Sequence, residues 1–408
     1  MPRATLLLCF LTLFCLNAIH SPAEVADRRA TATYKKYGPW IGTAVRISHP
    51  KDNTTYRGII IPLDKDEQAG VIFDADTMRM AIGWLEGGLK LQGLPFTGGH
   101  GQFPSLSGRP LFVASAAPGF AASHAGDALS DPRVAEQTGP WSQRPPLGPL
   151  PKSDAHYQGL YLHNDQVVLK YTVGKSEVLE TPTLATSEDK RGIRRHFEIA
   201  QDGKPLTLVL AELGDGEPVI DPTAASFQSP GSDATTALAI EHAPEGATIE
   251  NVEGRLVLRL PAAKAASRFN VAYWQDANVD FAAKAAAASK FNPNAADLTK
   301  GGPGRWGEPL VTQGELASDD EAPYVLDRVT VPYNNPFGSP MRIGGLDFFS
   351  DGTSAAVSTW DGEVWIVRGI DDDLDKVTWQ RYATGLHEAL GLKIVNDVIY
   401  TVSDMQIT

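Results

Sequence analysis

The stretch from Met341 to Val367, MRIGGLDFFSDGTSAAVSTWDGEVWIV, is the sequence feature that most constrains the fold. Apolar and β-branched residues alternate along it, as they do in strands that bury one face. Asp351-Gly352 and Asp361-Gly362 interrupt the alternation at points where a chain can reverse in a tight hairpin. The pattern therefore predicts consecutive antiparallel strands joined by hairpins.

A second, partial copy of this pattern follows the first. Residues 392–397 echo residues 346–351, and residues 399–404 echo residues 356–361, at an offset of about 45 residues. This spacing is typical of β-propeller blades, and a propeller needs roughly four to eight blades to close its ring. Residues 336–408 are therefore predicted to form the first one to two blades of an incomplete β-propeller. We expect the chain to be the N-terminal part of a longer protein.

Residues 1–23 have the pattern of a secretory signal peptide. Arg3 supplies the positive charge, Ala4 to Ile19 is apolar, and Ser21-Pro22-Ala23 offers small residues for cleavage. A membrane anchor is the alternative, but a span needs about 20 apolar residues and this segment is shorter. We expect an exported protein, periplasmic or extracellular, without stable membrane insertion.

Both cysteines of the chain, Cys9 and Cys15, lie inside the signal segment. The mature residues of this chain therefore have no disulfide, no cysteine-ligated zinc and no covalent haem, and their stability must come from burial. The net charge of −13 disfavours nucleic acid and anionic membranes as partners.

The remaining sequence is rich in short strand signals separated by turn residues, which predicts a mainly β fold. Residues 30–138 are expected to form a small N-terminal β domain, and residues 139–155 a proline-rich linker. Residues 156–280 are expected to form a β-sandwich-like domain, because short strands at this spacing let two sheets each bury one face. Residues 281–335 combine an alanine-rich helix at residues 281–291 with a Gly/Pro-rich linker. Strands are predicted at residues 43–48, 56–62, 70–73, 78–85, 89–91, 156–161, 166–174, 176–180, 196–199, 206–211, 248–252, 256–260 and 269–274.

Four side chains are candidate ligand-binding residues: His100, His156, Tyr161 and Trp360. His100 lies between glycines, where an open loop suits a ligand or a general base, although a loop histidine bonded to backbone is the simpler interpretation. His156 and His163 are seven residues apart, which puts them on opposite faces of one strand and prevents them from chelating a single ion. No catalytic residue and no metal ligand is predicted.

Two clusters in the blade region have both a functional and a structural interpretation. Trp360, Trp365, Trp379 and Tyr382 can stack on sugar rings if exposed, but aromatic residues of blades usually pack between sheets. Residues 371–375 offer the oxygen ligands that calcium prefers, but they lack the alternation and the glycine of a calcium loop. A solvated connection between strands is the interpretation we favour there.

A dense basic patch, Lys190-Arg191 with Arg194-Arg195, can hold a carboxylate or a phosphate. The acids Glu188-Asp189 and Glu198 flank it, so we expect local neutralisation instead. No Gly-x-Ser-x-Gly elbow, Walker loop or dinucleotide fingerprint is present, and hydrolase, nucleotide and nicotinamide functions therefore have no support.

Several motifs together resemble a known family. They are Tyr37-Gly38-Pro39, Gly99-His100-Gly101, the run from His156 to Tyr161 with Tyr171 to Gly174, and the stretch from Val331 to Gly345. These motifs are similar to an uncharacterised domain family of exported planctomycete and verrucomicrobial proteins. In that family the domain precedes a propeller that looks like those of quinone-dependent sugar dehydrogenases, and often a c-type cytochrome module.

The resemblance implies an exported oxidoreductase or electron-transfer assembly acting on carbohydrate, but it transfers no catalytic residue. No cofactor is expected in this chain, and pyrroloquinoline quinone, calcium or haem c would belong to the part beyond Thr408. The expected partners are the remaining propeller, a cytochrome c module of the same protein, and carbohydrate. Two functions stay open: a non-catalytic N-terminal portion of such an oxidoreductase, or a polysaccharide-binding or scaffold module with no redox role.

Overall fold

The structure is a computed structural model that describes residues 37–408 apart from 48–52, 67, 94–95, 101, 107, 122–128, 132, 134–146, 291–294, 318–323 and 404–406. The predicted signal peptide, both cysteines and most of the proline-rich linker lie outside the described residues. The described chain is mainly β, as predicted, with several sheets, one of them curled into a half-barrel. Among the described residues, no helix is long and apolar enough to cross a membrane.

The N-terminal region forms a seven-stranded sheet with the order β5-β6-β1-β2-β3-β4-β7. All five strands predicted in this region are confirmed, and two more are present. Pro110 opens the last of them, a position where its missing N–H costs no ladder hydrogen bond. The strands are β1 (Ile41–Ile47), β2 (Asn53–Pro62), β3 (Gly70–Asp74), β4 (Arg79–Trp84), β5 (Leu89–Lys90), β6 (Ser105–Leu106) and β7 (Pro110–Val113).

The second region contains an eight-stranded sheet, in the order β13-β14-β15-β18-β11-β10-β9-β8, and a three-stranded sheet, in the order β12-β17-β16. Two of its strands, β10 and β11, are much longer than predicted. Pro182 and a run of charged residues interrupt the apolar alternation there, so the sequence does not show their full length. The strands are β8 (Ala155–His163), β9 (Gln166–Val173), β10 (Ser176–Ser187), β11 (Lys190–Ala200), β12 (Leu206–Glu212), β13 (Val219–Asp221), β14 (Ala224–Gln228), β15 (Thr235–Glu241), β16 (Thr248–Val252), β17 (Arg255–Leu260) and β18 (Ser267–Gln275).

One apolar core joins the N-terminal sheet to both sheets of the second region. Phe112 of β7 stacks on Tyr273 of β18 with ring centroids 4.1 Å apart, and Phe73 of β3 lies 5.4 Å from Tyr171 of β9. Leu208 of the three-stranded sheet is fully buried in the same cluster. Full burial of each such side chain contributes about 1.5–3 kcal/mol. The two regions are therefore held together by packing.

An ion pair is buried inside this core. Arg195 donates from Nε to Glu180 Oε1 at 2.7 Å, and neither side chain is more than 1% exposed. The hydroxyl of Tyr171 donates to the other carboxylate oxygen at 2.8 Å, and the Arg195 guanidinium lies 5.0 Å from the centroid of the Phe197 ring. Both charged groups are thus removed from water, but each has hydrogen-bond partners.

The three arginines of the basic patch at residues 190–195 each pair with an acid, but not with the flanking acids that were predicted. Alternate residues of a strand point to opposite faces, so the Arg195 side chain lies in the core and the Arg194 side chain lies on the opposite face of the sheet. Arg194 pairs with Glu241 at 2.7 Å, and Arg191 pairs with Asp64 at 3.3 Å. Two of the flanking acids bind other cations: Glu188 binds Lys284 and Glu198 binds Arg268.

A short helix, α1 (Val279–Ala288), follows the second region, as the alanine-rich run predicts, and α2 (Ala295–Leu298) comes after it. Asn278 caps α1, because its side-chain oxygen accepts a hydrogen bond from the Phe281 N–H at 2.9 Å. The buried face of α1 consists of small residues that let it lie close to the eight-stranded sheet.

The predicted blade is a five-stranded sheet with the order β19-β23-β22-β21-β20. Its hairpins turn at Asp351-Gly352 and Asp361-Gly362, as predicted, and both glycines have positive φ angles of 71° and 84°. The strands are β19 (Leu310–Thr312), β20 (Ile343–Phe348), β21 (Ser354–Thr359), β22 (Val364–Arg368) and β23 (Val377–Ala383), and β24 (Gly391–Val395) with β25 (Val398–Val402) forms the hairpin of the second repeat.

The aromatic residues of the blade divide into two groups. Trp365 and Trp379 are buried, as the packing interpretation requires. Trp360 and Tyr382 are 42% and 62% exposed, so that interpretation is wrong for them. The aspartates of the run at 371–375 are exposed, whereas Leu374 is buried, and Asp371 accepts hydrogen bonds from the backbone N–H groups of Asp373 and Leu374.

Replacing one partner of the buried ion pair should destabilise the protein strongly. In Arg195→Met, the carboxylate of Glu180 is left in the core without its cation, and we expect unfolding to become easier by about 3–5 kcal/mol. The double variant Arg195→Met/Glu180→Leu removes both charges and should recover most of that loss. Urea unfolding followed by circular dichroism measures both; equal stability of the single and double variants would contradict the expected role of the pair.

Candidate functional site

A cleft of about 620 Å³ lies where the eight-stranded sheet, the N-terminal sheet and the loop before the blade meet. We call it the junction cleft. Its volume is within the range of about 300–1,000 Å³ that is usual for ligand sites. It is lined by Gly38, Pro39, Ile61, Pro62, Leu63, Asp64, Lys65, Asp165, Gln166, Val167, Pro182, Thr183, Leu184, Arg305 and Trp306.

The cleft exists because two neighbouring strands separate. β9 and β10 pair only as far as Leu169 and Glu180. Beyond that point residues 166–168 pair only with β8, and residues 181–187 pair only with β11. Pro182 lies where β10 pairs with β11 but no longer with β9, and a residue without an N–H cannot extend a ladder toward β9. The sheet therefore splits at one end, and the split forms one wall of the cleft.

The opposite wall contains the loop with Arg305 and Trp306. Arg305 holds this loop on the β8–β9 turn, because its guanidinium donates to the backbone oxygen of Asn164 and, at 2.9 Å, to the carboxylate of Asp165. Asp165 is itself 88% exposed. The carboxylate thus remains open to solvent beside the cleft.

Trp306 is fixed by the blade. The guanidinium of Arg381 lies 4.3 Å from the centroid of the Trp306 ring, and the ring of Phe337 meets it edge-on at 6.0 Å. Gly38 lies against the benzo edge, where an added Cβ would come within 3.3 Å of the indole. Trp306 remains partly exposed and lines the cleft. The ring is therefore held in one place before any ligand arrives.

Arg381 in turn is held by a buried carboxylate. It donates to Glu363 Oε1 at 2.5 Å, and the two side chains are 2% and 3% exposed. The indole N–H of Trp365 donates to Glu363 Oε2 at 3.0 Å, and the hydroxyl of Ser339 donates to the same oxygen. Burial lowers the pKa of Arg381, although the Glu363 charge opposes that shift.

Two motifs that carry the family resemblance converge beside the cleft. Tyr37, Gly38 and Pro39 approach the blade, and the Tyr37 backbone oxygen accepts a hydrogen bond from the Thr384 hydroxyl. The stretch from Val331 to Gly345 contributes Phe337 and Ser339, and Asn335 pins that loop by donating to the backbone oxygen of Ser339 at 2.9 Å. Burial, followed by the charges of Asp361 and Glu363, raises the pKa of Tyr37, so its phenol stays neutral.

A chain of hydrogen bonds begins at Thr183, one of the lining residues. The Thr183 hydroxyl is 2.9 Å from His196 Nε2, and His196 Nδ1 is 2.8 Å from Asn270 Oδ1. Asn270 Nδ2 donates to Glu241 at 2.8 Å, which turns the amide oxygen toward the imidazole. His196 Nδ1 must then carry the proton, and Nε2 of the neutral ring accepts the Thr183 hydroxyl. The chain fixes the orientation of Thr183.

Two residues of this chain have shifted pKa values. Burial lowers the pKa of His196, and the nearby Arg194 lowers it further, so the imidazole is neutral at pH 7. Burial alone would raise the pKa of Glu241, but hydrogen bonds from Arg194 and Asn270 outweigh it and lower the pKa. A carboxylate and a neutral imidazole therefore share the outer face of the sheet.

None of the four residues predicted from the sequence lines the junction cleft. His100 is exposed in a turn, and Trp360 is exposed on the blade with the Arg342 guanidinium 5.7 Å from its ring centroid. His156 and Tyr161 are partly exposed on β8, the last strand of its sheet. The structure does not bring these side chains together into one site.

The prediction that His156 and His163 lie on opposite faces of one strand is wrong. A bulge between Tyr157 and Gly159 adds one residue, so the alternation reverses and both histidines lie on the outer face of β8. Seven residues of strand still separate them by about 20 Å, too far to share an ion. Among the described residues no group of three or more histidine, aspartate or glutamate side chains is placed to hold a metal.

Sequence reasoning missed Trp306, the aromatic residue of the cleft. Residues 301–307 contain four glycines and a proline, a composition that predicts a linker. The usable signal was the Arg305-Trp306 pair inside that linker, because a large aromatic residue in an otherwise small-residue loop needs a surface to pack on. Only the fold shows that this surface is the blade.

Comparison with known proteins gives one match. Residues 71–180 match the model of a domain of unknown function (DUF6797). The matched residues extend from β3 to β10, so they cover parts of both predicted β regions and the segment between them. A search of curated proteins found no match. The match agrees with the resemblance to an uncharacterised domain family.

The shifted pKa of His196 should make stability depend on pH. The folded state disfavours the imidazolium, whereas the unfolded chain binds a proton near pH 6.5, so stability should fall as the pH falls below about 6.5. His196→Gln should lose this contribution, and thermal unfolding of both proteins between pH 5 and 8 measures it. His100→Gln, at an exposed turn, provides the baseline; parallel curves for wild type and His196→Gln would contradict the expectation.

Proposed function

We propose that this chain is the non-catalytic N-terminal portion of an exported, propeller-containing oxidoreductase or electron-transfer protein linked to carbohydrate oxidation. In this proposal the sheets that precede the blade, which we call the β region, carry no redox chemistry and hold the first blade in a fixed position. The observation that carries the proposal is the interlocked junction between the N-terminal sheet and the blade.

Close backbone contacts hold the N-terminal sheet against the blade. The N–H of Gly42 in β1 donates to the backbone oxygen of Gly385 at 2.7 Å, and the Leu386 N–H donates to the oxygen of Gly362 in the blade hairpin at 3.0 Å. Gly385 has a φ angle of +85°, and a Cβ there would lie 2.4 Å from the Trp40 backbone oxygen. The two chain segments therefore approach more closely than any other residue type allows.

Side-chain packing continues the same contact. Leu386 and Ala389 belong to the main apolar core, together with Val364 and Ile366 of the blade and Trp40 beside β1. A linker-joined blade would move independently of the preceding region, whereas a shared core resists such motion. This supports a scaffold role for the β region within a larger assembly.

The remaining parts of the proposal depend on the sequence. The signal-peptide pattern supports export, and the similarity to proteins with sugar-dehydrogenase-like propellers supports the link to carbohydrate oxidation. Pyrroloquinoline quinone, calcium and haem c would belong to other parts of such an assembly, together with a cytochrome c partner.

A polysaccharide-binding or scaffold module with no redox role is the second candidate function. The junction cleft favours it, because the cleft combines a fixed, partly exposed Trp306 with exposed polar groups. The gene sequence after Thr408 discriminates the two: further blades followed by Cys-x-x-Cys-His support the oxidoreductase, and their absence supports the module.

Adding a methyl group at Gly385 should open the junction. Gly385→Ala combines an unfavourable positive φ with a clash against backbone, and we expect it to cost at least about 2 kcal/mol more than a strained but unobstructed substitution. Gly352→Ala is the matched control, since Gly352 has a φ of +71° and open space around its Cβ position. Chemical unfolding of both variants measures the difference, and equal costs would contradict the docking role.

The chain should show no redox activity on its own. Purified residues 24–408, incubated with pyrroloquinoline quinone, calcium and a panel of sugars, should reduce no electron-accepting dye above the rate of a blank without protein. A soluble quinone-dependent sugar dehydrogenase serves as the positive control. Sustained sugar-dependent dye reduction by the chain would overturn the non-catalytic assignment.

A further inference from the structure

We infer that the junction cleft is a binding site for a neutral saccharide, with Trp306 as the platform on which a sugar ring stacks. This inference rests on the proposed link to carbohydrate and deepens it by naming the site and the class of sugar.

The charges of the cleft favour an uncharged ligand. Its lining contains two carboxylates, Asp64 and Asp165, and two cations, Lys65 and Arg305. Asp64 is paired with Arg191 at 3.3 Å and Asp165 with Arg305 at 2.9 Å. An anion would meet the two carboxylates and a cation would meet Lys65 and Arg305, so neither gains a net attraction. A neutral ligand meets no such repulsion.

The same groups suit a ligand with many hydroxyls. The carboxylate of Asp165 is 88% exposed and can accept hydrogen bonds, while the amide of Gln166 can both donate and accept. Residues 166–167 and 182–184 line the cleft beyond the end of the β9–β10 ladder. A purely apolar ligand would displace water from these polar groups without replacing its hydrogen bonds, and that costs binding free energy.

The aromatic ring supplies the apolar part of such a site. Sugar rings present a face of C–H groups that packs on an aromatic surface, and Trp has the largest surface of this kind. Because Arg381 and Phe337 already fix Trp306, the ring loses little conformational freedom when a ligand binds. The Glu363–Arg381 ion pair thus acts as a positioning element for the platform.

Titration of the purified chain with neutral oligosaccharides tests the inference. Soluble cello-, xylo-, manno- and laminari-hexaose are the probes, and calorimetry with tryptophan fluorescence is the readout. We expect at least one probe to bind, Trp306→Ala to weaken it by at least tenfold, and Trp306→Phe to retain part of the affinity. A hexagalacturonate, which carries carboxylates, should bind at least tenfold more weakly than the best neutral probe.

Tyr400→Ala is the control. Tyr400 is an aromatic residue that is 44% exposed, but it lies on β25 outside the cleft. This variant should bind like the wild type. Gln166→Ala gives a second test that leaves both the core and the Arg305–Asp165 pair in place, because the Gln166 side chain is exposed, and it should weaken binding several-fold.

Three results would overturn the saccharide site: no neutral probe binds the wild type, Tyr400→Ala weakens binding as much as Trp306→Ala, or hexagalacturonate binds more tightly than every neutral probe. Each leaves the docking proposal intact if Gly385→Ala is more destabilising than Gly352→Ala. Conversely, equal costs of the two glycine variants overturn the docking role without affecting the binding result.

Discussion

A single apolar core shared by three parts of the chain is the constraint on which the structure depends. Residues from the N-terminal sheet, from both sheets of the second region and from the blade belong to one buried cluster that extends from Trp40 to Ile394. With no cysteine after Cys15, no disulfide links the described residues, and burial is their main source of stability. Regions that share a core cannot turn freely against each other, so surfaces between them can form a preorganised site.

Two of the buried ion pairs, Arg195–Glu180 and Arg381–Glu363, have different consequences because they lie in different places. Arg195 and Glu180 lie within the core of the second region, where they satisfy each other and two tyrosine hydroxyls. Arg381 and Glu363 lie at the border of the blade, where the cation also covers Trp306. The first pair restricts how β10 and β11 pack. The second fixes Trp306, a residue of the cleft wall, in its position relative to the blade.

The junction cleft results from a mismatch in strand length. β10 continues for seven residues after its pairing with β9 ends, because β11 still offers it a partner on the other side. A sheet that splits in this way leaves backbone and side chains facing a gap, and the loop of Arg305 and Trp306 closes one side of that gap. Binding sites placed between packed elements in this way need no dedicated motif.

Much of the local structure was already determined by the sequence. The Asp-Gly pairs of the blade, the strand signals of β1 to β4 and the alanine-rich helix all depend on neighbours close in the chain, and all are present in the structure. The prediction was less complete where apolar alternation was interrupted: Pro182 and the charges around Arg194 concealed the full length of β10 and β11.

Only the tertiary structure decided the candidate site. The bulge at Tyr157 and Gly159 reversed the faces of β8, and the partners of Arg191 and Arg194 came from strands far along the chain. Trp306 became a candidate only because Arg381, 75 positions later, lies over its ring. Periodicity and turn chemistry act over a few residues, so they can be recognised in the sequence. The pairing of distant side chains depends on how the sheets pack, and no local sequence pattern determines that.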